Sequence, residues 1–366
     1  IAPAGASRGS HEAIELRDGG TRMGGMDVQV ALDNVNRAIA TALAGLDAHD
    51  QTGVDAALVA LDGTPQKSRL GGNATVATSL AVAHAAAAAA GQPLWRHLAG
   101  DAMVSLPLPQ IQVFGGGAHA GRRIDVQDLM VMPVGAWTYS DALAIVADVY
   151  RAAGELMQEA GTLAGVADEG GYWPQFARNE DALEMLVRAI ERAHRKPGDD
   201  VAIALDIAAS EFGRDGRYTL ARDGASLDRD ALAELLLRWV ERYPVLSIED
   251  PFAEDDRAAW IAFARAAPPR LQIVGDDYLA TSAARVEAAA RDRACNAALI
   301  KVNQAGTLTE AHAALVAAGR AGFGAIVSAR SGETEDVSIA QLAVGWNAGQ
   351  IKVGAFARGE RMAKWN

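Results

Sequence analysis

Val201–Ala208 reads VAIALDIA, an apolar run that delivers a carboxylate, Asp206, at its end. The same pattern returns down the chain. VLSIEDP (245–251) delivers Glu249, LQIVGDD (271–277) delivers Asp276, ALIKVN (298–303) delivers Lys301 and GQIKVG (349–354) delivers Lys352. Most intervals between successive strand ends equal one strand plus one helix, the repeat of a β/α barrel. In such a barrel the C-terminal strand ends share one mouth, so three carboxylates and two lysines should converge there. Three carboxylates suit a hard divalent cation such as Mg²⁺. Two buried lysines beside it suit removal of a proton next to a carboxylate.

Each acid taken alone reads equally well as a helix cap, because acids after strands often serve that purpose. Three on consecutive units, with lysines on later strands, are much harder to obtain by chance. Lys301 stands between Ile300 and Val302 in an apolar strand, where an unpaired ammonium is costly. A salt bridge to Asp277 is its structural explanation, and both roles are compatible. GGGAHAG (115–121) is a weak loop signal, and His119 within it reads first as a packed polar residue. DEGG (168–171) alone is an ordinary turn. ARSGETED (329–336) sets Arg330 and Ser331 between a strand end and a helix start, where guanidinium, hydroxyl and backbone N–H groups suit a phosphate.

The rest of the chain bounds the answer. With 366 residues, half of them hydrophobic, it can bury a large core and is expected to hold two domains. Residues 1–104 should form an N-terminal domain with helices around Val28–Leu43 and Thr75–Ala90, the second stopped by Gly91-Gln92-Pro93. Residues 105–366 should form the barrel, with strand and helix alternating from LPLPQIQVFGGG to the end. A net charge of −12 argues against nucleic-acid and acidic-membrane partners. It does not forbid an anionic substrate in a locally positive pocket. The single cysteine, Cys295, excludes an intrachain disulfide framework and fits a reducing cytoplasm. No apolar stretch is long enough to span a bilayer, and a start at Ile1 suggests a chain that begins inside the natural protein.

Many specific segments, in order, resemble enolase over essentially the whole chain. They include GASRGSHEAIELRDG (5–19), GQPLWRHLAG (91–100), QDLMVMPVGA (127–136), ADEGGYWP (167–174), SIEDPF (247–252), LIKVNQAGTLTE (299–310), SARSGETED (328–336) and GQIKVGAFARGERMAKWN (349–366). The resemblance implies an N-terminal α+β domain and a modified (β/α)8 barrel in a homodimer or larger homo-oligomer. It also implies that strands before the GAS loop and a tail after Asn366 are missing. Asp206, Glu249 and Asp276 match the ligands of a structural Mg²⁺. Ser7 matches the mobile-loop serine that reaches a second Mg²⁺ arriving with substrate. Lys301 matches the base at C2 of 2-phosphoglycerate, and Glu169 the acid that helps the C3 hydroxyl leave. Lys352 matches the lysine at the substrate carboxylate, His119 and Gln127 match substrate-side positions, and Arg330 and Ser331 match the phosphate pair.

Two central positions depart from the family. Ala329 stands where the active-site histidine is usual, and Asp128 where glutamate is usual. The carboxylate of Asp128 is set back by about 1.5 Å, and such a displacement can cost about 100-fold in a catalytic group. Nearby, Gly115 replaces asparagine, Tyr172-Trp173 replaces Phe-Ala, and Val353 replaces threonine. Metal ligands, lysines and phosphate pair are intact, while the leaving-group side is altered. The expectations are therefore an enolase-type lyase acting on 2-phosphoglycerate or phosphoenolpyruvate, or an enolase-like paralogue of phosphonate biosynthesis such as carboxyphosphonoenolpyruvate synthase. The substrate is in either case a small phosphorylated or phosphonylated carboxylate. A silent enolase-like binding protein is the third reading, opposed by the cost of retaining buried charges without use.

Overall fold

The computed structural model describes residues 1–366. Its strands are β1 (Leu108–Gly115), β2 (Asp128–Met132), β3 (Ala202–Asp206), β4 (Gly213–Arg214), β5 (Arg217–Leu220), β6 (Ala225–Asp228), β7 (Val245–Glu249), β8 (Gln272–Gly275), β9 (Ala297–Ile300), β10 (Gly324–Ser328) and β11 (Gly349–Gly354). Eight close into a barrel in the order β1-β11-β10-β9-β8-β7-β3-β2, while β4, β5 and β6 form a small antiparallel sheet outside it.

Strict alternation of strand and helix does not hold at the start. β1 turns directly into β2, which runs antiparallel to both β1 and β3. The two helices Tyr139–Glu159 and Asn179–Arg192 then follow in succession before β3. A parallel return requires a crossover, usually a helix. The β1–β2 connection instead doubles back tightly on itself. A Cβ on Gly116 would lie 2.1 Å from the Val126 carbonyl oxygen, and Gly117 has φ +55. Only glycine fits that path.

The reversal has a consequence for the mouth. Because β2 runs backwards, its first residue reaches the rim where the other strands end. Gly115 pairs with Asp128, Asp128 with Asp206, and Asp206 with Glu249. Alternate residues of a strand share a face, so Met130, Met132, Ala202 and Ala204 lie beneath Asp128 and Asp206 as a small apolar cluster. Beside it, Gln110, Gln272 and Gln350 bond to one another and to Ser247, which satisfies the buried amides below the charged layer. The main core lies between the barrel and its surrounding helices.

Residues 1–104 hold helices and no named strand. Gln29–Asn34 continues through a π turn, Val35–Ile39, into Ala40–Leu43. Gly72–Ala89 starts a turn earlier than its sequence suggests. Gln51–Asp62, which the sequence reading did not single out, is capped by Asp50, whose side chain accepts from the Gly53 N–H. These helices dock on the barrel helix Leu308–Ala321. Asp55 accepts from Thr309 N–H at 2.9 Å, and Ser79 Oγ accepts from Leu308 N–H at 3.0 Å. A carboxylate at a helix N-terminus is well placed for the helix dipole. No helix is long and apolar enough to cross a membrane.

Candidate active site

A cleft of about 410 Å³ opens at the barrel mouth. Ser7, His119, Gln127, Asp128, Glu169, Asp206, Lys301, Arg330, Ser331 and Lys352 line it, together with Ala329 and Val353. Glu249 and Asp276 lie beneath, hydrogen-bonded to the lysines that face it. Every candidate residue of the sequence reading is thus at this rim. They arrive from β2 and the residue before it, from β3, β7 and β11, from the turns after β1, β8, β9 and β10, from the DEGG turn between the helices Tyr139–Glu159 and Asn179–Arg192, and from the N-terminal loop.

Charge is arranged in two groups. The Lys352 ammonium lies 2.8 Å from Asp206, 2.8 Å from Glu249 and 3.2 Å from Asp128. Burial disfavours its charge, yet Asp206, Glu249 and Asp128 outweigh that and hold its pKa well above the usual lysine range. Lys301 pairs with Asp276 at 2.5 Å. The partner suggested by the sequence was Asp277, but Asp276 is the carboxylate turned toward the lysine. Burial again opposes the ammonium and Asp276 supports it, so the Lys301 pKa is raised. Gln304 Nε2 donates to the other Asp276 oxygen at 2.7 Å.

The one group of three acids whose carboxylate oxygens lie within 4.8 Å of one another is Asp250, Asp276 and Asp277. Asp250, however, uses both oxygens to accept the backbone N–H groups of Asp276 and Asp277, each at 2.8 Å. It braces the β8 turn and aims Asp276 into the site. Asp206, Glu249 and Asp276 have lysine ammonium groups as partners instead, and their all-oxygen, buried donor set suits Mg²⁺.

Beside Asp128, His119 Nε2 is 3.1 Å from Asp128 Oδ1 and 3.2 Å from the Gln127 carbonyl oxygen. Both neighbours are acceptors, so this nitrogen carries a hydrogen. Burial lowers the His119 pKa, but the hydrogen bond to Asp128 and the charge of Glu169 raise it to about 9. Glu169 moves upward through burial and the nearby Asp128 charge. Burial pushes Asp128 the same way, and Lys352 and His119 more than reverse it, holding Asp128 below the usual carboxylate range. Their surroundings thus displace the two acids in opposite directions, Glu169 upward and Asp128 downward.

Two of the departures, Gly115 and Tyr172, have local contacts that account for them. A Cβ on Gly115 would come 2.7 Å from the Ala167 side chain and 3.0 Å from the His119 ring, so this backbone leaves no room for asparagine. Tyr172 stacks on Tyr150 at 4.4 Å, and the Tyr150 hydroxyl donates to the Gly170 carbonyl at 2.7 Å. The aromatic pair thus braces the turn that carries Glu169.

On the side of the N-terminal loop, Arg330 pairs with Glu12 at 2.9 Å and donates to the Ser7 carbonyl at 3.3 Å. Ser331 Oγ accepts from Ala6 N–H at 2.6 Å. Arg361, fully buried, donates to the carbonyls of Arg330, Ser331 and Val353 and fixes that turn. Gln112, Glu12, Asp250, Gln304 and Arg361 all escaped the sequence reading. Only Gln112 carried a usable signal, because it alternates with Gln110 in an otherwise apolar strand and so marks an inward polar face.

Two family profiles match in order. "Enolase, N-terminal domain" covers residues 1–98, and "Enolase, C-terminal TIM barrel domain" covers residues 103–366. With nearly its whole length matched and its acids and lysines gathered at one barrel rim, the chain belongs to the enolase family of lyase-type enzymes.

Proposed function

We propose that the protein is a Mg²⁺-dependent enolase-type lyase acting on 2-phosphoglycerate or phosphoenolpyruvate. The observation that carries this reading is the convergence of Lys301, Lys352, Glu169 and the phosphate pair on one cleft above three buried carboxylates. Asp206, Glu249 and Asp276 would hold the ion, with Ser7 reaching a second one that accompanies substrate. Mg²⁺ would supply positive charge to offset the second negative charge that forms on the substrate carboxylate. Arg330 and Ser331 bind the phosphate, and Lys352 faces the carboxylate. Lys301 takes the C2 proton once its ammonium is no longer held by Asp276, and Glu169 gives a proton to the C3 hydroxyl. Gln127 Nε2, which donates to Asp206 at 3.1 Å, and His119 orient the substrate side.

A second reading, a specialised paralogue of phosphonate metabolism, is supported by the cleft wall. Ala329 and Val353 line it where an imidazole and a hydroxyl are usual, so the wall is apolar and roomier there. A Mg²⁺-dependent assay with 2-phosphoglycerate separates the two. We expect C2 proton exchange into D2O, loss of that exchange by about 1,000-fold in Lys301→Ala, and faster dehydration when Ala329→His is combined with Asp128→Glu. Retained exchange in the lysine variant would refute the assignment of the base. Turnover at ordinary enolase rates in the natural sequence would dismiss the paralogue.

A further inference from the structure

Asp128 and Glu169 enter the cleft from β2 and from the DEGG turn, yet one side chain touches both. Gln112, on β1 and only 1% exposed, donates from Nε2 to Asp128 Oδ1 and to Glu169 Oε2, the latter at 3.4 Å. Its Oε1 accepts from the Gly171 N–H at 2.7 Å. That third bond decides the orientation of the amide. A backbone N–H can only donate, so Oε1 must face Gly171 and the NH₂ must face the acids. The glycine is needed for this contact: a Cβ at position 171 would come 2.4 Å from Gln112 Oε1. The last glycine of DEGG is therefore the seat of an amide that links two carboxylates.

We propose that Gln112 is the positioning residue of the acid pair, setting the spacing of Asp128 and Glu169 and leaving the Glu169 proton to Oε1. This rests on the reading that Glu169 serves the departing hydroxyl. An oxygen that faces an N–H is an acceptor, so a protonated Glu169 keeps its hydrogen on the oxygen that Gln112 does not hold. In the step it serves, the C3–O bond breaks and its electron pair leaves with oxygen. The Glu169 proton joins that oxygen, water departs, and the electron pair left at C2 by proton removal closes the C2–C3 double bond. Glu169 is then an anion beside Asp128, a repulsive neighbour. The Gln112 N–H groups are already directed at both. An amide that reaches both acids also suits the short Asp128, which cannot extend across the cleft by itself.

Two variants test this from opposite sides. Gln112→Leu keeps the volume and removes all three hydrogen bonds, and Gly171→Ala displaces the amide while leaving Gln112 in place. With 2-phosphoglycerate and Mg²⁺ in D2O, we expect C2 exchange to stay within about 3-fold of wild type in both variants. Phosphoenolpyruvate formation should fall by about 100-fold, in kcat rather than KM. Crystals of ligand-free Gln112→Leu should show the Glu169 and Asp128 carboxylates moved apart, with Lys352 still on Asp206 and Glu249. Equal loss of exchange and dehydration, or an undisturbed acid pair in those crystals, would overturn the proposal. If the wild type neither exchanges nor dehydrates 2-phosphoglycerate, the functional reading fails, and the crystal comparison still decides the role of Gln112.

Discussion

His119 shows how one side chain can be misread from its neighbours in sequence. In GGGAHAG it resembles a packed polar residue, and it is buried as that reading requires. Its Nε2 nevertheless meets Asp128, and the pair joins the loop after β1 to the start of β2. The His119 pKa is raised, to about 9. A histidine whose folded pKa exceeds its unfolded value stabilises fully below about 6.5 and loses that contribution as pH rises through the folded value. In the metal-free protein, unfolding free energy should therefore fall between about pH 6.5 and 9, by on the order of 3 kcal/mol from this group. Asp277, pushed up to about 8 by burial and the Asp276 charge, slopes stability in the same direction. The difference between wild type and His119→Gln in urea titrations across this range is thus the diagnostic quantity. Parallel profiles would show that the imidazole is not charged in the folded state.

At the scale of elements, the apolar runs ending in charge mark the parallel strands well, because burial and a rim residue leave a one-dimensional trace. The direction of β2 leaves none: a period-two pattern reads the same forwards and backwards. The β1–β2 reversal depends on the close approach of Gly116 to Val126, which is a contact in space. The helix Leu308–Ala321 offers a measurable test of local design. Thr307 Oγ1 accepts from the Glu310 N–H at 3.2 Å and donates to the Glu310 carboxylate at 2.8 Å, fully buried. Glu310 in turn pairs at 2.8 Å with Lys67, in the loop between the helices Gln51–Asp62 and Gly72–Ala89. Thr307→Ala should cost about 1 kcal/mol, read as a lower urea midpoint with an unchanged slope. No shift would mean that neighbouring contacts hold this helix start without its cap.

Across the whole molecule, the N-terminal residues complete the site. Glu12 crosses from the opening loop to Arg330 after β10, and both side chains are almost fully buried, at 7% and 4% exposed. Breaking such a pair leaves an uncompensated buried charge, which costs about 3–5 kcal/mol. Glu12→Gln should accordingly lower the melting temperature. Because Arg330 faces the cleft, phosphoenolpyruvate with Mg²⁺ should reduce the deficit by giving the guanidinium a new anion. A deficit unchanged by that ligand would separate Arg330 from phosphate binding. The same pair explains why Glu12 escaped notice in the sequence: its partner lies more than three hundred residues away.

What the sequence determined by itself was the set of chemical groups and the barrel that gathers them. Strand burial and helix periodicity are local properties, so Asp206, Glu249, Asp276, Lys301 and Lys352 could be placed at one rim from spacing alone. Tertiary structure decided how those charges are shared: Lys352 among three carboxylates, Lys301 on Asp276, and Gln112 between Asp128 and Glu169. Pairing of this kind depends on distances of about 3 Å across the barrel, and Coulomb and hydrogen-bond energies fall too steeply for residue order to specify them.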